Sequence, residues 1–195
     1  MSRFSALVLT SLTLGFITGR ILSPDLGALY EWVLYALIFL IGLDLGMEFD
    51  FNALRKSGRL GLSLAVTTIL GSIAGALLGG LLLDIPIRYA SAIGAGCGWY
   101  SITGPIIAQY SAIYGTLGFL ANLLREILTV TLYPFLVRWI PPEVGLTIGG
   151  ATTMDTTLGV IAKTGGKEVS LVAFIHGFVI TMLVPFLLPL ILGGG

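Results

Sequence analysis

Long apolar runs are the feature that most constrains what this chain can fold into. Seven of them follow one another, with short connections between. They cover residues 4–22, 27–47, 60–83, 90–109, 117–139, 144–162 and 169–192. A helix that spans the hydrocarbon core of a bilayer needs about 20 mostly apolar residues, and each run is close to that length. The sequence therefore predicts an all-α polytopic membrane protein.

Composition supports this class and excludes others. Only 10% of the residues are charged, against about 25% in a soluble domain, and the mean hydropathy is +1.01. Ten basic and ten acidic residues cancel, so no basic surface indicates a nucleic-acid partner. The single cysteine excludes an intrachain disulfide. No nucleophile–base pair, phosphate loop or metal-ligand spacing indicates an enzyme, a metal site or another cofactor.

Two of the runs, 90–109 and 144–162, are poor helices. They contain "GAGCGWYSITGP" and "GGATTMDTTLG", and glycine, threonine and proline lower helix propensity. Irregular backbone at membrane depth is tolerated only where it is buried in protein or lines a cavity. We therefore expect five full transmembrane helices and two broken or re-entrant segments in a single domain, 1–195; whether the broken segments cross the bilayer stays open.

The two broken segments also match each other. A shift of 54 residues places Gly96 on Gly150 and Thr103 on Thr157. The same shift pairs Ser101 with Asp155 and Asn122 with His176. We interpret this as an internal repeat with units at 90–140 and 144–192. If both segments are hairpins, the units enter from opposite faces and form an inverted repeat, as in many secondary transporters.

Basic residues predict the orientation. With five full spans and a cytoplasmic N-terminus, seven basic residues are cytoplasmic and two face outward. The cytoplasmic set is Arg3, Arg55, Lys56, Arg59, Arg138, Lys163 and Lys167, and the outward set is Arg20 and Arg88. This agrees with the positive-inside rule, so the C-terminus is expected outside.

The motif "NLLRE" places charge in the middle of an apolar run. Glu126 lies roughly 15 Å into its span at 1.5 Å per residue, and Asn122 is one turn before it on the same face. A charge at that depth costs about 2.5–3.5 kcal/mol, so Glu126, Arg125 and the neighbouring Asn122 are candidate substrate or proton sites. The alternative is a structural Arg125–Glu126 cluster that holds the broken segments.

Asp155 lies among the threonines of the second broken segment. Its carboxylate can bind a cation or take up a proton, and Thr153 and Thr156 can supply further oxygen atoms. Ser101 and Thr103 are the matching candidates in the first segment. The alternative for Asp155 is a helix N-cap.

Two further residues have two interpretations each. Trp99 either lines a cavity or packs in the core. His176 either relays protons or is a neutral hydrogen-bond partner. The glycine-rich turns "GAGCG" and "GG" are candidate N–H donors for a substrate carboxylate. The spacing of Gly71, Gly75 and Gly79 predicts close helix packing.

Four motifs in this order resemble a known family. They are "GCGWYSITGPII", "LANLLREIL", "GGATTMDTTLGVI" and "FIHGFVITMLVPFLLP". The chain resembles the bacterial lysine exporters of the LysO type along nearly its whole length. The resemblance implies export of L-lysine and of toxic lysine analogues across the inner membrane, and two essential intramembrane acids, which fall on Glu126 and Asp155.

Longer members of that family carry about three additional N-terminal spans. We therefore expect a homodimer or a small partner subunit. The sequence predicts a secondary transporter that exports lysine and related cationic amino acids, driven by the proton motive force. The alternative is a sodium or proton transporter or channel that uses the same acids. For the exporter itself, sodium is the alternative to protons as the coupling ion.

Overall fold

The structure is a computed structural model that describes residues 3–22 and 51–193, together with Trp32 and Ala36. Its residues group into two compact units, Met1–Asp44 and Leu45–Gly195. In the first unit, helix α1 covers Arg3–Leu22, and its stretch Thr13–Leu22 is apolar. The predicted span 27–47 lies outside the described residues, so the total of five full spans stays a prediction, as does the single domain.

The described part of the second unit is helical, with irregular connections. Its elements are α2 (Phe51–Leu82), α3 (Ile87–Ala95), α4 (Tyr100–Ala108), α5 (Ala112–Leu136), α6 (Pro142–Gly145), two 3₁₀ helices (Leu146–Ile148 and Gly150–Met154) and α7 (Leu158–Gly193). Three stretches in the described residues are long and apolar enough to cross a membrane: Ser57–Leu82 within α2, all of α5, and all of α7. The described residues are thus helical, with stretches that can cross a membrane, as the sequence predicts.

Two helices are longer than predicted. α2 begins at Phe51 rather than near residue 60 and has 32 residues, which is about 48 Å at 1.5 Å per residue. This exceeds the ~30 Å hydrocarbon core, so the polar residues at its start extend the helix instead of forming a loop. α7 includes the predicted link 163–168, and only Gly166, with φ 80° and ψ −175°, interrupts its helical backbone.

Both segments predicted to be broken are broken in the structure. In the first, residues 96–99, here called the first break, separate α3 from α4. In the second, residues 146–157, here called the second break, lie between α6 and α7 and contain both 3₁₀ helices. The first break requires positive φ angles at Cys97 (47°) and Gly98 (93°), which an α-helix cannot include.

The core lies where α2, α3, α4 and α7 meet the two breaks. Its buried cluster includes Ala65 and Ile69 of α2, Cys97 of the first break and Ala151 of the second. The rest of the cluster comes mainly from α7: Ile180, Val184, Leu188 and Leu192. The breaks are therefore buried in protein, as irregular backbone in a membrane must be.

Close helix packing uses other glycines than the predicted set. A Cβ on Gly71, Gly75 or Gly79 would meet no atom within 4 Å in the described part of the chain. A Cβ on Gly94 would lie 2.6 Å from the Ser72 carbonyl oxygen, and one on Gly115 would lie 2.6 Å from Ala108. The α2–α3 and α4–α5 contacts therefore depend on Gly94 and Gly115, which lie outside the predicted set.

Candidate functional site

The two breaks cross each other directly. The Ala151 N–H donates to the Cys97 carbonyl at 2.8 Å. Gly150, at φ 65°, lies so close that a Cβ would overlap the Cys97 carbonyl, and a Cβ on Gly98 would lie 2.8 Å from the Gly149 oxygen. Only glycine fits at these two positions, since each combines positive φ with a backbone contact. The crossing fixes the position of one break relative to the other.

Asn122 of α5 holds the first break. Its Oδ1 accepts the Gly98 N–H at 2.6 Å. Its Nδ2 donates to the carbonyls of Ile93 at 3.1 Å and Gly118 at 2.9 Å. The amide is 3% exposed and all three bonds go to backbone, so this predicted binding residue acts on the scaffold.

Arg125 of α5 holds the second break. Its Nε donates to the Ile148 carbonyl at 2.7 Å, and one terminal nitrogen donates to the Thr147 carbonyl at 2.8 Å. The other terminal nitrogen donates to the Ser72 hydroxyl of α2 at 2.7 Å. The guanidinium thus joins α2, α5 and the second break, and it binds carbonyls where the sequence suggested a pair with Glu126.

His176 of α7 is fully buried, and both ring nitrogens are hydrogen-bonded. Nδ1 lies 2.9 Å from the Thr153 hydroxyl and Nε2 lies 2.9 Å from the Thr68 hydroxyl of α2. The Thr153 hydroxyl also lies 2.9 Å from two carbonyls, of Gly150 and Ala173. Carbonyls only accept, so the single hydroxyl hydrogen points to one of them and His176 Nδ1–H donates to Thr153. In the neutral ring Nε2 then accepts from Thr68, which favours the second of the two roles predicted for His176.

The Glu126 and Asp155 carboxyl groups, here called the acid pair, lie close enough to interact electrostatically. The side chains of Thr156 and Tyr100 lie near the Glu126 carboxyl. Asp155 Oδ1 accepts the Thr156 N–H at 2.6 Å and lies 3.4 Å from the Thr156 hydroxyl. Its hydrogen bonds thus go to Thr156, two residues before α7 begins, and not to the first turn of that helix, as an N-cap would require.

One oxygen of the acid pair has no partner. Glu126 Oε2 is buried and accepts no hydrogen bond in the described part of the protein. Buried carboxylate oxygens are almost always hydrogen-bonded, and an unpaired one is costly. Within the described residues, this oxygen is therefore available to accept a proton or to contact a cation.

The remaining predicted residues are divided between the core and the surface. Trp99 packs against the hydrophobic core, which is one of its two predicted roles. Thr103 is fully buried and its hydroxyl donates to the Trp99 carbonyl at 2.7 Å. Ser101 is exposed. The structure therefore places the acid pair and Thr156 together, while Asn122, Arg125, Thr153 and His176 support the breaks around them.

Sequence reasoning missed two participants. Tyr100, next to Trp99 in the first motif, places its hydroxyl at Glu126, and its ring packs edge-on against Phe119 at 5.4 Å. Its position beside the break was the available signal. Ser72, the partner of Arg125, gives no signal because it is one small polar residue in an apolar helix.

Comparison with known proteins identifies a family for the chain. The family model described as "Lysine exporter LysO" matches residues 9–192. The chain belongs to this family. It is 36% identical over 162 residues to the lysine exporter LysO of Escherichia coli (strain K12), covering 81% of this chain and 53% of that protein.

A second relative has a more similar length. The putative lysine exporter of Haemophilus influenzae is 33% identical over 161 residues, covering 80% of both chains. The chain thus spans about half of the first relative and most of the second. No solved structure matches the chain. Family membership and the apolar helices together identify a multi-pass membrane protein.

Proposed function

We propose that the protein is a secondary transporter that exports L-lysine and related cationic amino acids in exchange for protons. The observation that carries this proposal is the buried, unpartnered Oε2 of Glu126 beside the Asp155 carboxyl. Membership of the lysine exporter family supports the substrate class.

The chemistry of the acid pair supports exchange. Two neighbouring carboxylates that are shielded from water repel each other, so together they favour a bound proton or a bound cation. A substrate ammonium and a proton then compete for the same oxygens. Release of one on binding of the other, on alternate sides of the membrane, is antiport.

The surroundings of the pair support a transporter in a second way. Asp155 lies in non-helical backbone between the 3₁₀ helix Gly150–Met154 and the start of α7. In secondary transporters, broken helices near midplane carry the binding groups, and one repeat moves against the other. In our proposal the two breaks are the matched halves of an inverted repeat, and their crossing holds the site.

The proposed setting is the inner membrane, with the N-terminus in the cytoplasm and the C-terminus outside. In this proposal the working exporter contains a second copy of the chain or a small partner subunit. Lysine is the substrate named for the relatives.

An ion transporter or channel for sodium or protons is the second candidate. The same oxygen atoms favour it, because carboxylates and hydroxyls are the ligands that such cations use. Competition separates the candidates: lysine and sodium should compete only if both occupy the acid pair.

The test uses purified protein in liposomes loaded with labelled lysine under an imposed pH gradient. Efflux should require the gradient and should be lost in Glu126→Gln and Asp155→Asn. Glu168→Gln is the matched control, because Glu168 is exposed in α7 and does not belong to the acid pair. Gradient-driven lysine efflux that persists in both acid variants would refute the proposed site, and sodium flux without lysine flux would favour the second candidate.

A further inference from the structure

A lysine molecule carries two ammonium groups and one carboxylate. Its ammonium groups need acceptors, which the acid pair supplies. Its carboxylate needs donors, and the sequence offers two kinds near the acids: the Arg125 guanidinium and the N–H groups of the glycine-rich turns. Whether these donors are available decides which part of the substrate the site recognises.

The guanidinium is not available. Nε and both terminal nitrogens of Arg125 donate to protein oxygens, at Ile148, Ser72 and Thr147. These bonds hold the second break to α2 and α5. A substrate carboxylate that bound Arg125 would have to replace at least one of them and would leave a buried acceptor without a partner.

Five N–H groups in and beside the glycine-rich turns are also engaged. In the first break, the N–H of Cys97 donates to Gly94 at 3.2 Å, that of Gly98 to Asn122 at 2.6 Å and that of Trp99 to Gly96 at 2.9 Å. In the second break, the Gly149 N–H donates to Leu146 at 3.0 Å and the Ala151 N–H to Cys97 at 2.8 Å. The expectation that these turns bind an anion is therefore not supported by their geometry.

The groups at the acid pair itself have the opposite character. The Asp155 carboxyl accepts the Thr156 N–H at 2.6 Å and lies 3.4 Å from the Thr156 hydroxyl, and Glu126 lies near enough to Asp155 for their charges to interact. Glu126 Oε2 adds a buried acceptor that has no donor. Two ionised carboxylates carry a charge of −2, which matches two ammonium groups better than it matches the net +1 of lysine.

We infer that the site recognises ammonium groups alone, and that the protein also transports aliphatic α,ω-diamines. The best-matched member is the five-carbon diamine, which has the two ammonium groups of lysine and no carboxylate. This inference rests on the proposed function, since it assigns the substrate class of the same acid pair.

The experiment follows labelled lysine and labelled 1,5-diaminopentane separately in liposomes that contain the full chain. Each flux is then measured with unlabelled competitors. Norleucine keeps the amino-acid end and lacks the side-chain ammonium, and pentylamine keeps one ammonium and lacks the other. Glu126→Gln and Asp155→Asn are included, with Glu168→Gln as the control.

We expect the diamine to be transported and to inhibit lysine flux at concentrations within about tenfold of unlabelled lysine, because a site that does not bond a group tolerates its loss. A site that bonded the carboxylate would reject the diamine by roughly 10⁴-fold. Norleucine and pentylamine should inhibit poorly, and both acid variants should lose both fluxes.

The outcomes separate the inference from the proposed function. Lysine flux without diamine flux or inhibition would overturn the inference and leave lysine export standing. Diamine flux without lysine flux would support the inference and refute lysine export. If folded protein moves neither compound, both are wrong.

Discussion

The two breaks differ in how they are held and in what they carry. The first break spans residues 96–99, and one side chain from the next long helix, Asn122, bonds it. The second break spans residues 146–157, and two side chains from two helices, Arg125 and His176, bond it. The first carries no charge; the second carries Asp155.

This difference follows from what each break must hold in place. A neutral turn of four residues bonds mostly to itself and needs one amide to complete it. A longer segment with a carboxylate leaves more carbonyls without helical partners, and its charge must be held next to Glu126. The second break is therefore held by more side chains than the first. The hydrogen bond from the Ala151 N–H to the Cys97 carbonyl links the first break to it.

The largest expected effect comes from the crossing itself. Gly150→Ala should destabilise the protein by roughly 2–4 kcal/mol, because a Cβ there adds positive-φ strain to an overlap with the Cys97 carbonyl. Thermal unfolding in detergent measures it. Gly71→Ala is the matched control: its Cβ meets no atom of the described residues within 4 Å, so it should be neutral or stabilise the helix. Equal melting temperatures for the two variants would show that the breaks do not cross as described.

The second effect tests the support of the charged break. Arg125→Met removes the donors to Thr147, Ile148 and Ser72, with an expected total loss of about 1–3 kcal/mol because buried acceptors are left unpaired. Hydrogen exchange should rise in residues 146–157, and lysine efflux should fall with it. Arg138→Met is the control, since Arg138 is exposed. Unchanged exchange in this segment would mean that Arg125 does not hold it.

The third effect tests the neutral break. Asn122→Leu keeps the side-chain size and removes the bonds to Gly98, Ile93 and Gly118, with a loss of about 1–3 kcal/mol. Exchange should rise around residues 94–104 and much less in residues 146–157. If instead Asn122→Leu and Arg125→Met loosen the same residues equally, the two breaks form one cooperative unit and the contrast between them fails.

Sequence reasoning located the breaks because their cause is local. Glycine, threonine and proline cluster at 96–105 and 149–157, and these residues lower helix propensity wherever they occur. The acid residues were equally visible, since a carboxylate in an apolar run stands out. The link predicted at residues 163–168 has a local cause as well, because the non-helical backbone of Gly166, with φ 80° and ψ −175°, kinks α7 there.

The partners of the polar side chains were not predictable in the same way. Arg125 and Glu126 are adjacent in sequence, and pairing them was the simple assumption. Adjacent helical residues point about 100° apart, however, and only the tertiary fold brings Thr147 and Ile148 to the guanidinium. Tyr100 and Ser72 were missed for the same reason, because each owes its role to a segment that is distant in the chain.

The smallest expected change in stability comes from a substitution at the acid pair. It separates residues that hold the breaks from residues that bind the substrate. Thr156 is exposed, so Thr156→Val should leave the melting temperature nearly unchanged. Its hydroxyl lies 3.4 Å from Asp155 Oδ1 and near the Glu126 carboxyl. Loss of one hydrogen bond of about 0.5–1.5 kcal/mol should lower lysine efflux by roughly 2- to 12-fold. Thr156→Ser should restore efflux, and Thr131→Val, an exposed threonine of α5, should have no effect. A lower melting temperature of Thr156→Val with normal efflux per folded molecule would place Thr156 with the supporting residues. A normal melting temperature with reduced efflux places it with the residues that bind the substrate.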